Sequence, residues 1–108
     1  MIPTGEKVFV FVPAEGNRVT KSGIQVVEKA RQEESYRQAR VLAVGQGRIT
    51  KKGTRIPPDV KVGDIVQILR FQGHRIAPED IGYTAEMQPG DEIRIILEND
   101  IAFIEEPT

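Results

Sequence analysis

The sequence predicts an all-β chain arranged as a small, partly open β-barrel. Three observations carry that expectation. Apolar residues cluster in five short runs rather than recurring at helical spacing. Those runs are rich in Val, Ile and Phe, the residues that suit a pleated, half-buried surface. Gly and Pro punctuate the stretches between them. A length of 108 residues suits one domain and leaves no room for a second.

The first run, Lys7–Val12, is apolar on both faces, with Val8, Val10 and Val12 on one side and Phe9 and Phe11 on the other. Such a strand needs more cover than a small monomer readily supplies, which predicts barrel closure and a partner subunit. Arg40–Val44 is a second strand, stopped by Gly45-Gln46-Gly47. Arg48–Pro58 reads as a hairpin, with Gly53 near its tip between Ile49 and Ile56. Asp64–Phe71 is a third strand, begun by the turn Val62-Gly63-Asp64. Glu92–Leu97 alternates and should place Ile93, Ile95 and Leu97 on one face. After the turn-prone Glu98-Asn99-Asp100, Ile101–Ile104 ends the series.

Two stretches do not fit a compact barrel. Pro13–Gln38 is mostly polar, and a connection of that length is usually functional or disordered. Its one apolar island, Ile24-Gln25-Val26-Val27, follows Ser22-Gly23. Glu28–Arg40 lacks Gly and Pro and carries Glu33 and Arg37 at helical spacing, which predicts some helix. Gly73–Gly90 reads as an irregular excursion or a hairpin before the fourth strand.

The chemistry-bearing residues are sparse. Fifteen Lys and Arg face sixteen Asp and Glu, whereas a duplex nucleic-acid binder usually carries a basic excess. No cysteine is present, so disulfides, thiolate nucleophiles and Cys-based zinc sites are excluded. No apolar run approaches the roughly 18 residues of a membrane span, and Met1 leads into polar residues instead of a signal peptide. The expected setting is the cytoplasm. His74 is the only histidine, and a lone loop histidine is usually just solvated. Asp64, Asp80, Asp91 and Asp100 sit beside turn residues, where Asp makes local backbone hydrogen bonds. Gly45-Gln46-Gly47 lacks the Lys-Ser/Thr that a phosphate-cradling loop needs, so turn geometry explains it better. No catalytic residue, metal ligand or cofactor is expected. What remains is an interaction protein with an apolar hook, Ile24-Gln25-Val26, on a long loop. Weak hooks become effective when several are displayed together.

These residues resemble the GroES-like co-chaperonins, the small lids of ring-shaped chaperonins. Lys7-Val8-Phe9-Val10, Lys21-Ser22-Gly23-Ile24 and Val41–Ile49 with its Val-Gly-Gln-Gly-Arg core carry the resemblance. Pro58–Val66, containing Val-Lys-Val-Gly-Asp, and Glu98–Ile104 complete it in the family's order. The resemblance implies a homo-heptameric dome, without catalysis or cofactor of its own, that caps an ATP- or ADP-bound GroEL-type ring around an unfolded client protein. Membrane and nucleic acid are not implied partners. It also implies a mobile loop over 14–32 whose Ser22, Gly23, Ile24, Gln25, Val26 and Val27 dock on the chaperonin. A roof hairpin would comprise Ile49, Thr50, Lys51, Lys52, Gly53 and Thr54. Pro3, Lys7, Val8 and Phe9 would lie beside Ile101, Ala102, Phe103 and Ile104 of the next subunit.

Three departures stand out. The docking triplet has Gln25 where the family is usually aliphatic, and the roof has Lys51 and Lys52 where relatives are often acidic. Gly73–Gly90 is longer than usual and would line the cavity or reinforce the subunit contact. Phage-encoded co-chaperonins diverge in such ways, and the setting would then be the host cytoplasm. Two alternatives are a nucleic-acid module contacting through Lys51, Lys52 and Arg55, and a detached dehydrogenase-type domain. Sparse aromatics oppose the first, and missing cysteines and a missing nucleotide-binding domain oppose the second.

Overall fold

The computed structural model describes residues 3–14, 17–19, 25–27, 36–69, 72–85 and 87–105. Its strands are β1 (Lys7–Val12), β2 (Asn17–Val19), β3 (Gln25–Val27), β4 (Tyr36–Val44) and β5 (Arg48–Ile49). They continue with β6 (Arg55–Ile56), β7 (Ile65–Leu69), β8 (His74–Ile76), β9 (Glu92–Leu97) and β10 (Ile101–Ile104). Six of them form one antiparallel sheet in the order β10-β7-β4-β1-β9-β8, while β2–β3 and β5–β6 are separate two-stranded ribbons. Among the described residues no ladder joins β8 to β10, so the sheet is not closed into a barrel.

β1 lies at the centre because its two apolar faces demand burial. Val8 stands opposite Val44 on β4 and Ile96 on β9, and a bulge between Phe9 and Val10 shifts the β4 register. The first core gathers Val8, Val10 and Val12 with Ala39 and Val41, Val66 and Ile68, Ile96, and Val60 from the 57–64 connection. Residues from four strands of one sheet share this cluster, as expected when a coiled sheet folds its concave face on itself.

Phe11, Ile65 and Ile93 form a second core on the opposite face, and Leu42, Ile76, Ile81, Tyr83 and Met87 pack against it. Phe11 and Tyr83 meet edge to face with ring centroids 6.0 Å apart. Burial pushes the Tyr83 hydroxyl above its ordinary pKa, offset in part by Arg40 and reinforced by Asp91. The segment after β8 therefore supplies cover that the sequence expectation assigned to a partner subunit. Its approach depends on Gly73 (φ +91°), where a Cβ would lie 2.6 Å from a methyl of Ile96 and 2.8 Å from the Ile95 carbonyl.

One expectation about an element is corrected. Helix was expected over Glu28–Arg40, but Tyr36–Arg40 is strand and pairs residue by residue with Leu69–Ile65. An i,i+4 ion pair contributes only a few tenths of a kcal/mol, too little to oppose a ladder that fully buries Ala39. Residues 28–35, including Glu33, lie outside the described set. Ile93, Ile95 and Leu97 share one face of β9 as expected, with Ile93 buried, Ile95 half-buried and Leu97 exposed, while Glu92 and Ile96 are buried on the other face. The third expected strand is described over Ile65–Leu69, and Arg70 and Phe71 lie outside the described residues.

Candidate functional site

Ser22, Gly23 and Ile24 lie outside the described residues, whereas Gln25, Val26 and Val27 constitute β3. Asn17, Arg18 and Val19 of β2 pair with Val27, Val26 and Gln25. The described part of the apolar island is therefore extended and stands on a ribbon separate from the main sheet.

The root of the loop is tied down by charge. Arg37, just beyond its far end, donates from Nη2 to the Pro13 carbonyl at 2.5 Å. The Ala14 amide donates to Asp91 Oδ1 at 2.8 Å, while Asp91 Oδ2 accepts from the Gln88 amide at 2.8 Å. Next to it, Glu92 is buried with three guanidiniums around its carboxylate. Arg94 Nε donates to Oε1 at 2.5 Å, Arg37 Nη1 reaches the same oxygen at 3.4 Å, and Arg75 Nη2 pairs with Oε2 at 2.7 Å. Arg94 Nη2 also pairs with Oε1. Burial lowers the pKa of the Arg37 guanidinium, Glu92 opposes that shift, and Arg94 and Arg75 add to it.

Sequence reading singled out none of Arg37, Arg75, Arg94 and Glu92 as a group. The one local signal is Glu92 and Arg94 two apart on a strand, hence on one face. The network holds backbone and neutralises charge, with no nucleophile in it.

Ile49–Thr54 forms the tip of the β5–β6 hairpin. Thr50 donates to the Thr54 carbonyl at 2.8 Å, Gly53 donates to the Thr50 carbonyl at 2.9 Å, and the Thr54 amide donates to Thr50 Oγ1 at 3.1 Å. Gly47 at its base has φ +95° and donates to the Gly5 carbonyl at 2.9 Å; a Cβ there would lie 1.9 Å from the Ile56 carbonyl. Backbone approach, not phosphate binding, thus accounts for the Gly45-Gln46-Gly47 motif.

Asp64, Asp91 and Asp100 accept from the amides of Lys61, Gln88 and Leu97 at 2.8–3.0 Å, the local role expected of turn aspartates. His74 is exposed on β8. Among the described residues no group of three or more His, Cys, Asp or Glu could hold a metal ion. None of their helices is long and apolar enough to cross a membrane.

The described residues thus place an extended segment, Gln25–Val27, on a ribbon outside the main sheet, with the loop's root held by Arg37 and Asp91. The chain matches the family of chaperonin 10 Kd subunits over residues 1–102. It belongs to that family. A protein named co-chaperonin GroES from Coprothermobacter proteolyticus is 36% identical over 99 residues, covering 92% of this chain and 88% of the relative. Another of that name from Staphylococcus saprophyticus is 34% identical over 103 residues, with 94% of each chain covered. One from Haemophilus influenzae is 48% identical over 68 residues, or 63% and 62% of the two chains.

For a chaperonin 10 chain the subunit-contact residues matter next. Of the expected set only Lys7, Ala102, Phe103 and Ile104 are exposed; Ile101 is half-buried and Pro3, Val8 and Phe9 are buried. Lys7, Val8 and Phe9 belong to a strand flanked on both sides by β4 and β9. β10 is different. One edge pairs with β7, the other has no ladder among the described residues, and Phe103 is 52% exposed, with Tyr36 packed edge to face against it.

Proposed function

We propose that this co-chaperonin acts in the cytoplasm as one subunit of a homo-heptameric lid on a GroEL-type chaperonin. Nucleotide is held by the chaperonin ring, and the lid brings no cofactor or catalysis of its own. The observation that carries the reading is the Ile24–Val27 island, whose described part is extended on a ribbon that is not hydrogen-bonded into the main sheet. Family membership and the co-chaperonin names of the relatives support it.

In this reading Ser22–Val27 docks in an apolar groove of the ring, with Ile24 and Val26 as contacts two residues apart on an extended chain. Gln25 adds no apolar area, so each hook is weak. Seven hooks on one lid make later docking events effectively intramolecular, which restores affinity without any new contact. Closure displaces the bound client into the chamber. Roof residues 49–54 face the crown of the dome, and the open edge of β10 serves the neighbouring subunit.

Replacing Ile24 with Asp tests the assignment, because a charge would have to enter an apolar groove. The expected result is loss of nucleotide-dependent capture by a GroEL-type ring, while the assembled species near 85 kDa (seven chains of 12.1 kDa) is retained. Undiminished capture by Ile24→Asp would show that the docking residues lie elsewhere.

A further inference from the structure

Residues 48–56 contain Arg48, Lys51, Lys52 and Arg55 and no carboxylate, whereas the other 99 residues hold eleven Lys or Arg against all sixteen Asp and Glu. Lys51, Lys52 and Arg55 are exposed and form no ion pair among the described residues. The same ribbon leaves Ile49 60% and Ile56 37% exposed. Register places Ile49 opposite Arg55 and Arg48 opposite Ile56, so each face carries one isoleucine position beside one arginine position. The hydrogen bonds of the tip and the Gly47 base hold this ribbon in one shape, which lowers the ordering entropy lost on binding.

What partner suits such a surface follows from its charge and its apolar content. A second copy of the hairpin is disfavoured, since two of them bring eight cations together with no anion. Single-stranded nucleic acid draws much of its affinity from stacking on aromatic rings, and residues 48–56 contain none. Carboxylates with aliphatic neighbours match both features. We propose that the 48–56 hairpin is a docking surface for an acidic polypeptide segment bearing interspersed aliphatic side chains. The surface stands on the free chain and needs no chaperonin, so this inference goes beyond the capping role. In a ring, several hairpins would bind one acidic chain with avidity.

Isoleucine-methyl-labelled protein titrated with a twelve-residue Glu/Ile peptide provides the test. The expected result is saturable movement of the Ile49 and Ile56 methyl signals while Ile93 and Ile96 stay fixed. A Lys/Ile peptide of equal length should leave all four in place. Raising salt from about 50 to about 500 mM should weaken binding roughly tenfold, because exposed charges are screened within a few ångströms at the higher value. Lys51→Glu/Lys52→Glu/Arg55→Glu should abolish binding with Ile93 and Ile96 unmoved, and the milder Lys51→Gln/Lys52→Gln should weaken it. Equal binding of both peptides would reduce the surface to an apolar patch and overturn the proposal. So would tighter binding of a twelve-nucleotide oligouridine, or peptide-induced shifts confined to other isoleucines. None of these outcomes bears on capture by a chaperonin ring, which the Ile24→Asp experiment decides separately.

Discussion

Charged side chains meet opposite fates at the loop root and on the β5–β6 hairpin. At the root a buried carboxylate pairs with Arg37 and Arg94, only 14% and 12% exposed, and with Arg75, which pairs from the surface at 76% exposure. On the hairpin Lys51, Lys52 and Arg55 are exposed and pair with no carboxylate among the described residues. A charge leaves water only when a partner and hydrogen bonds replace its hydration. The first group is therefore committed to holding the chain in shape. The second remains available to another molecule.

Removing the shared carboxylate should break this contrast most severely. Glu92→Gln keeps the side-chain shape but leaves guanidiniums crowded in a buried site without their anion. A loss of about 3–5 kcal/mol is expected in urea denaturation at fixed protein concentration. A loss below about 1 kcal/mol would mean that the arginines rearrange into solvent at little cost. Arg37→Gln is milder, because Arg75 and Arg94 still hold Glu92. It should cost about 1–3 kcal/mol through the unpaired Pro13 carbonyl and speed amide exchange at the adjacent Ala14. Unchanged exchange there would show that Asp91 alone holds the root. Smallest of all, Lys51→Gln/Lys52→Gln should leave stability within about 0.5 kcal/mol, as for surface changes away from packed features. A larger shift would show that the hairpin cations already serve the fold.

Much of the sheet was legible in the sequence because its signals are local. β1, β9 and β10 coincide with the apolar runs Lys7–Val12, Glu92–Leu97 and Ile101–Ile104. The hairpin at 48–56 and the turn aspartates 64, 91 and 100 were read from residues a few positions apart. β4 was read too short at its start, since Tyr36-Arg37-Gln38 is polar and owes its strand conformation to pairing with β7. Gly73–Gly90 was read as an irregular excursion or a hairpin; His74–Ile76 within it is strand β8, paired antiparallel with β9. Ile76, Ile81, Tyr83 and Met87 follow no helical or strand period, so nothing announced that all four pack against Phe11, Ile65 and Ile93.

The proposed docking segment stood out as an apolar island in a polar stretch, and its resemblance to co-chaperonin loops added the residue assignments. The root of that loop did not stand out. Its contacts join Pro13 to Arg37, Ala14 to Asp91 and Arg37 to Glu92, 24, 77 and 55 positions apart. Each residue taken alone looks like an ordinary surface charge.

By itself the sequence determined the all-β class, the places where strands start and stop, the hairpin with its uncompensated cations, and the family. Those properties rest on side-chain period, turn chemistry and composition, which act over a few residues. Only the tertiary structure decided which face of β1 the later excursion covers, which arginines surround Glu92, and which strand edges are left unpaired among the described residues. Those choices depend on chain segments far apart in sequence arriving at one place, where burial makes a partner obligatory for every charge.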